Sequence, residues 1–309
     1  DWASTVIPHS ASASPLNLYG VTASGIYHAY LDNPKASYLT AMQDAATIMI
    51  GNAGIRSSSD LVFLMQFQGL PGVTQDIYSD AAKAKFDARI TTYGSATAFA
   101  QYLRDTRHGQ GYDNGIIPWD ISGYVIAAQM LEGFYPADPY DYAQAADDMS
   151  EIIYQDSYNN NPGYFDPDVN NGWDPTYANT DYWWYTIGIT GIVQAFQAAN
   201  VHTAEIAALQ DILEACQYPS GAFSGSFGAN TNDEDWQSTA YAVPALAVID
   251  QTANQAMINH ACYWLAATQD ALTGAWFYSD GTHYPEVGGE NCAALSYGNN
   301  ATTLYVDDD

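Results

Sequence analysis

The sequence predicts an all-α fold: an inner ring of apolar helices wrapped by an outer ring of amphipathic ones, the arrangement of an (α/α)6-type toroid or barrel. Three observations carry that expectation. A segment type that opens on an acid or Asn, passes through small residues and continues as an Ala-rich apolar run recurs six times in the 309 residues. More amphipathic stretches separate the copies. The pairs recur at roughly 50 to 60 residues, the interval of an array of helix pairs.

The copies start at Asn17 (NLYGVTASGIYHAYL), Asp60 (DLVFLMQFQGL), Asp120 (DISGYVIAAQML), Asp181 (DYWWYTIGITGIVQAF), Asp235 (DWQSTAYAVPALAVID) and Glu286 (EVGGENCAALSYG). Asp or Asn ahead of an apolar run marks a helix start, because its side chain can accept an orphan N–H of the first turn. These runs are apolar on nearly every face, as buried helices are. Stretches 36–50, 80–105, 139–155, 203–217 and 253–269 read as the outer helices. A twelfth helix has to come from the residues before Asn17 or be missing. One domain over 1–300 accommodates all of this, and 301–309 (ATTLYVDDD) reads as a tail or the start of a linker.

The outer helices share a local pattern. Trp264 and Leu265 are followed by Gln269 and then by Gly274, Ala275 and Trp276; one repeat earlier, Ile212 and Leu213 precede Gln217 and then Gly221, Ala222 and Phe223. Partial copies occur at Tyr38, Leu39 and Gln43, and at Gln155 with Gly163, Tyr164 and Phe165. This resembles the QW motif of squalene-hopene cyclases, members of the terpenoid cyclase and protein prenyltransferase superfamily of α/α toroids. The resemblance implies a toroid and gives Gln269, Trp276, Gln217 and Phe223 a structural role, in which the Gln caps the next helix and stacks on the aromatic ring. It does not carry over the chemistry. Asp233, Glu234 and Asp235 match the cyclase acid motif only loosely, and Glu290 to Cys292 match the prenyltransferase zinc motif without a later His.

Composition narrows the partners. A net charge of -28, from 35 acids against 7 Lys and Arg, repels phosphate backbones and anionic membranes, so nucleic acid is not expected as a partner. No stretch approaches the roughly 20 apolar residues of a membrane span, so membrane insertion is not expected either. Low charge density with 25 Tyr and abundant Asn, Ser and Thr reads as a secreted or cell-surface protein. The start at Asp1 fits removal of a signal peptide. Cys216, Cys262 and Cys292 have no metal-type spacing; they allow one disulfide, or serve as small buried apolar residues.

In a ring of this kind the inner helices start at one mouth, which gathers Asp120, Asp181, Asp235, Glu286 and Glu290. Each can be read as a helix cap or as a catalytic acid or base; Asp120, Asp181, Asp235 and Glu290 are the catalytic candidates. Trp119, Tyr182, Trp183, Trp184 and Trp236 flank these acids, and His108 lies beside Arg104 and Arg107 before the GQGYDNG loop. Aromatic faces stack on pyranose C–H faces, and a carboxyl pair can protonate a leaving oxygen and activate water. Long polar loops at 106–119 and 156–180 decorate the same side. The second holds Asp166, Asp168 and Asn170 with the alternating oxygen spacing of Ca2+ loops, although Asn171 stands where Gly is usual and Tyr177 where a bidentate Glu should be.

The six His are scattered singly, with no H-E-x-x-H pair, and neither a G-x-S-x-G elbow nor a P-loop is present. The expectation is therefore an extracellular carbohydrate-binding or carbohydrate-degrading toroid acting on a glycan or polysaccharide. A glycoside hydrolase is preferred to a polysaccharide lyase, for want of cations to neutralise a uronate. The other reading is a non-catalytic cell-surface, filament or sheath module that self-assembles into an oligomer or polymer.

Overall fold

A computed structural model describes residues 18–51, 54–109, 116–159, 185–225, 234–277, 281 and 284–298, with the side chains of 18–19, 107–109, 116 and 157–159 left aside. Among these residues the chain is almost wholly helical: α1 (Leu18–Asp32), α2 (Ala36–Ile50), α3 (Ser58–Gln68), α4 (Ile77–Tyr93), α5 (Ala96–Gly109), α6 (Ile116–Phe134), α7 (Tyr142–Ile153), α8 (Tyr185–Ala199), α9 (Thr203–Ala215), α10 (Trp236–Ala267) and α11 (Pro285–Leu295). The rest is one π-helical turn, Tyr154–Asn159, and a two-stranded antiparallel ladder of β1 (Phe223–Ser224) with β2 (Glu234–Asp235).

The repeated apolar segments are α1, α3, α6, α8, the first arm of α10, and α11. Each packs on the next in that order, and α11 packs back on α1. The amphipathic helices α2, α4, α7 and α9 lie against neighbouring members of this series. The closure between α11 and α1 depends on two glycines: a Cβ on Gly289 would stand 2.6 Å from Thr22 Cα, and one on Gly25 would collide with the Gly289 carbonyl. With no side chain in the way, the two backbones meet directly. Met42, Phe63, Phe67, Phe86, Tyr142 and Phe196 fill the space between layers and are essentially fully buried.

Helix starts differ from the sequence expectation in four places. Asp60 does not open its helix. Ser57 is the N-cap of α3 and Asp60 completes a capping box with it, while also accepting from Gly20 N of α1 at 2.9 Å; one carboxylate thus serves orphan donors of two helices. Asp120 lies inside α6, which begins at Ile116 with Pro118 in its first turn. Glu286 is the second residue of α11, whose cap position is Tyr284. The single outer helix expected over 80–105 is two helices, because Gly94 takes a left-handed φ of 89° and ends α4. Asp235, in contrast, is an N-cap, accepting from Ser238 N at 2.7 Å.

The fifth pair needs no loop. Asp250, with φ -162° and ψ 97°, breaks α10 into two arms and caps the second by accepting from Ala253 N at 3.0 Å. Leu246 O is taken by Asn254 Nδ2 at 3.0 Å. Few cations are present, and two brace the layers. Lys83 bonds Asp87 at 2.7 Å and Asp138 at 3.0 Å, and Arg89 reaches Arg56 O at 2.6 Å while lying over the Tyr124 ring.

The QW-like residues tie the ends of the outer helices down, but neither Gln caps the next helix. Gln269 Nε2 donates to Gly274 O at 2.7 Å and the fully buried Trp276 donates to Leu265 O at 2.9 Å. Gln217 donates both to Gly221 O at 3.0 Å and to Met257 O at 3.1 Å, tying α9 to the second arm of α10. The bond to Met257 goes to a carbonyl in mid-helix, not to a helix start. All three Cys are buried, and burial pushes the Cys262 and Cys292 thiols up to about 12; the apolar reading of these residues holds.

Candidate functional site

The apolar helices surround a cavity of about 430 Å³, lined by residues of α1, α3, α6, α8, α10 and α11 and by Tyr297 just past α11. Much of its wall is apolar, from Val21, Ile126, Ala240, Pro244 and Ala293. Four hydroxyls, Ser24, Ser58, Ser59 and Ser122, and three amides, Gln66, Gln194 and Gln197, supply uncharged polarity. Trp119, Tyr241, Tyr297 and His28 present rings to it. Among the described lining residues there is no Lys or Arg, and Glu290 is the one carboxyl.

Glu290 sits in the middle of α11 and is 5% exposed. Helical spacing puts Gln237 and Tyr241 one turn apart on α10, facing it across the α10–α11 contact. Tyr241 donates its hydroxyl to Oε1 at 2.5 Å and Gln237 Nε2 donates to the same oxygen at 3.2 Å. Oε2 is buried with no partner among the described residues. Burial holds the carboxyl well above its usual range, reinforced by the charge of Glu286 one turn earlier and, more weakly, of Asp235; the bonds from Tyr241 and Gln237 pull the other way. Glu286 is itself raised by burial. Burial thus favours the neutral form of Glu290, and with both donors spent on Oε1 a proton that it holds belongs on Oε2.

Trp119 meets Tyr241 edge to face, with ring centroids 5.6 Å apart. Its backbone is held by another close approach: a Cβ on Gly191 of α8 would stand 2.7 Å from Trp119 Cα and N. Burial and the Glu290 and Glu286 charges push the Tyr241 phenol well up, against a hydrogen bond from Trp119 that pulls it down; the hydroxyl donates to Glu290.

The structure brings together only part of the expected set. Glu290 and Trp119 line the cavity. Asp235 acts on Glu290 through its charge but is not a lining residue, and its carboxylate is engaged as a cap. Asp120 follows Trp119 by one residue, so the helical twist turns it out of the cavity toward Tyr124, whose phenol its charge raises. Trp236 does not line the cavity; its indole N–H goes to Thr268 Oγ1 at 3.1 Å, joining the start of one arm of α10 to the end of the other. Asp181, Tyr182, Trp183, Trp184, Asp166, Asp168 and Asn170 lie outside the described residues, as does the side chain of His108. Among the described residues no group of three or more His, Cys, Asp or Glu is placed to hold a metal ion, and no helix is long and apolar enough to cross a membrane.

His28, Tyr241 and Gln237 do not stand out in the sequence. The signal that could have found them is a pair of one-turn spacings, Gln237 to Tyr241 and Glu286 to Glu290, on adjacent apolar helices that otherwise carry little polarity. Comparison with known proteins finds no matching family model, no matching curated protein and no matching solved structure.

Proposed function

We propose that the chain is an extracellular (α/α)6 toroid that acts on a neutral glycan, a glycoside hydrolase with Glu290 as its acid. The order of helix neighbours, returning from α11 to α1, supports the toroid. The observation that carries the function is the character of the cavity: one protonated carboxylic acid among hydroxyls, amides and aromatic rings, with no Lys or Arg among the described lining residues. Sugars offer apolar C–H faces to rings such as Trp119 and hydroxyls to Ser and Gln, whereas a uronate would bring an unneutralised charge into a wall of low polarity.

A general acid must hold its proton at working pH and reach the leaving oxygen. The raised carboxyl of Glu290 meets the first condition, and its unpartnered Oε2 is the atom from which the proton would go. Glu286, one helical turn earlier, is half-buried and does not line the cavity; its charge helps hold the Glu290 proton in place. The reaction is proton transfer from Glu290 to the glycosidic oxygen as that C–O bond breaks; water then adds to the sugar carbon and gives its proton to the Glu290 carboxylate, which restores the acid.

Release of reducing ends from a panel of neutral polysaccharides tests this reading. The wild-type protein should cleave at least one, and Glu290→Gln should lose turnover by about 10²-fold or more without a lower unfolding temperature. Undiminished cleavage by that variant overturns the role of Glu290. A panel with neither binding nor cleavage, from a protein that forms polymers in electron micrographs, supports the self-assembling module instead.

A further inference from the structure

His28, on α1, presents its imidazole to the cavity. Burial lowers this ring to about 4, and it is neutral at neutral pH. Its Nδ1 lies 3.3 Å from Ser296 Oγ. Ser296 has one hydroxyl proton and directs it to Ala293 O at 2.7 Å, so it has none to give the ring. The Nδ1 position is therefore the donor in that contact, and in a neutral imidazole Nε2 is then a bare acceptor. The rings of Tyr27 and Tyr297, with centroids 5.4 and 5.8 Å from that of His28, hold the imidazole from two sides.

The cavity is graded along its length. α1 and α11 run parallel, since Thr22 meets Gly289 and His28 meets Ser296. Six residues of rise separate the level of Glu290 from that of Ser296, roughly 9 Å along the axis. At the Glu290 level, Glu290 is 5% and Ala240 2% exposed. Toward the helix C-termini lie Gln197, which is exposed, and Val248, 38% exposed. Between the two levels the wall mixes apolar Ala293 and Pro244 with Ser24, whose hydroxyl donates to Gln66 Oε1 at 2.9 Å.

We infer that His28 is a positioning residue for the ligand: its Nε2 accepts a hydroxyl hydrogen from a neutral sugar that enters from the Gln197 and Val248 end, while Glu290 donates to an acceptor oxygen at the deep end. This inference rests on the sugar reading above for its ligand class, and on the Ser296 contact for its acceptor. A ligand carrying a cation or an acceptor at the rim is disfavoured, because Nε2 has no proton to offer.

Two measurements test it. Imidazole ¹⁵N shifts of the free protein at neutral pH should show Nδ1 protonated and Nε2 bare; the reverse tautomer overturns the acceptor. Titration calorimetry with neutral mono-, di- and trisaccharides should show binding of at least one. Its affinity should fall about ten-fold in His28→Leu and be retained in His28→Gln, whose amide oxygen restores an acceptor. Equal weakening by both variants, or wild-type affinity in His28→Leu, overturns the positioning role. If no sugar in the panel binds, the glycan reading and the ligand class fall together, and the ¹⁵N spectrum still decides the acceptor.

Discussion

Asp235 shows how a residue can belong to a site without touching the ligand. Its carboxylate caps α10 through Ser238 N, and its charge helps hold the Glu290 proton in place. The two roles separate by substitution. Asp235→Ala should cost about 0.5–2 kcal/mol of stability through loss of the cap, whereas Asp235→Asn should change it by a few tenths, since Asn caps as well. With the charge gone, Glu290 loses its proton more easily, and the alkaline limb of any pH–activity profile should move to lower pH in the Asn variant. Urea unfolding and a pH–rate profile read the two effects; a limb that stays in place would mean that Asp235 is a cap and nothing more. The sequence shows Asp235 as an acid before an apolar run, and that much is sound. The same pattern misplaces Asp120, because α6 begins four residues earlier at Ile116, with Pro118 in its first turn as the start signal.

At the scale of elements, the hydrophobic period was legible and the break at Gly94 was not. Six apolar runs were visible as helices because their burial leaves no polar face. The division of 80–105 at Gly94 was harder to see: one glycine inside a helical pattern is tolerated at a modest cost, and only its left-handed φ identifies it as a stop. The junction at Asp250 was legible, since the fifth apolar run ends at Asp250 and the next amphipathic stretch begins at 253. Where helices meet, the sequence carries a cue in its small residues. Gly25 and Gly289 let α1 and α11 touch, and that contact sets the height of Glu290 against His28. Gly289→Ala should force the pair apart, at a cost of about 1–3 kcal/mol for overpacking, and should weaken ligand binding more than a cavity-distant substitution of equal stability cost such as Ile258→Val. Thermal unfolding and calorimetry on the two variants make that comparison; equal binding losses would detach the helix contact from the site.

At the scale of the whole molecule, the charge of -28 and the buried titratable groups act on stability in different ways. His28 binds its proton less readily when folded, at about 4 against 6.5, so the unfolded chain holds more protons between those values. Stability is therefore lost as pH falls through that window, by about 3 kcal/mol in all. Glu290 and Glu286 have the opposite sign. Their folded pKa values are raised, so the folded chain holds the extra protons and stability falls as pH rises above the ordinary Glu value of about 4.3, at up to about 1.4 kcal/mol per pH unit for each group that stays protonated. The surface acids add repulsion in the same direction, but salt screens exposed charges and hardly reaches buried ones. The unfolding temperature should thus peak at mildly acidic pH and decline through neutral to alkaline pH. Added salt should lift the whole alkaline limb, leaving a residual slope. Glu290→Gln should remove most of that residual slope, and His28→Gln should flatten the acid limb instead. Scans of unfolding temperature against pH at low and high salt separate the terms. A wild-type alkaline slope that salt abolishes would place the effect on the surface and leave Glu290 ionised, which would take away the acid on which the proposed chemistry depends.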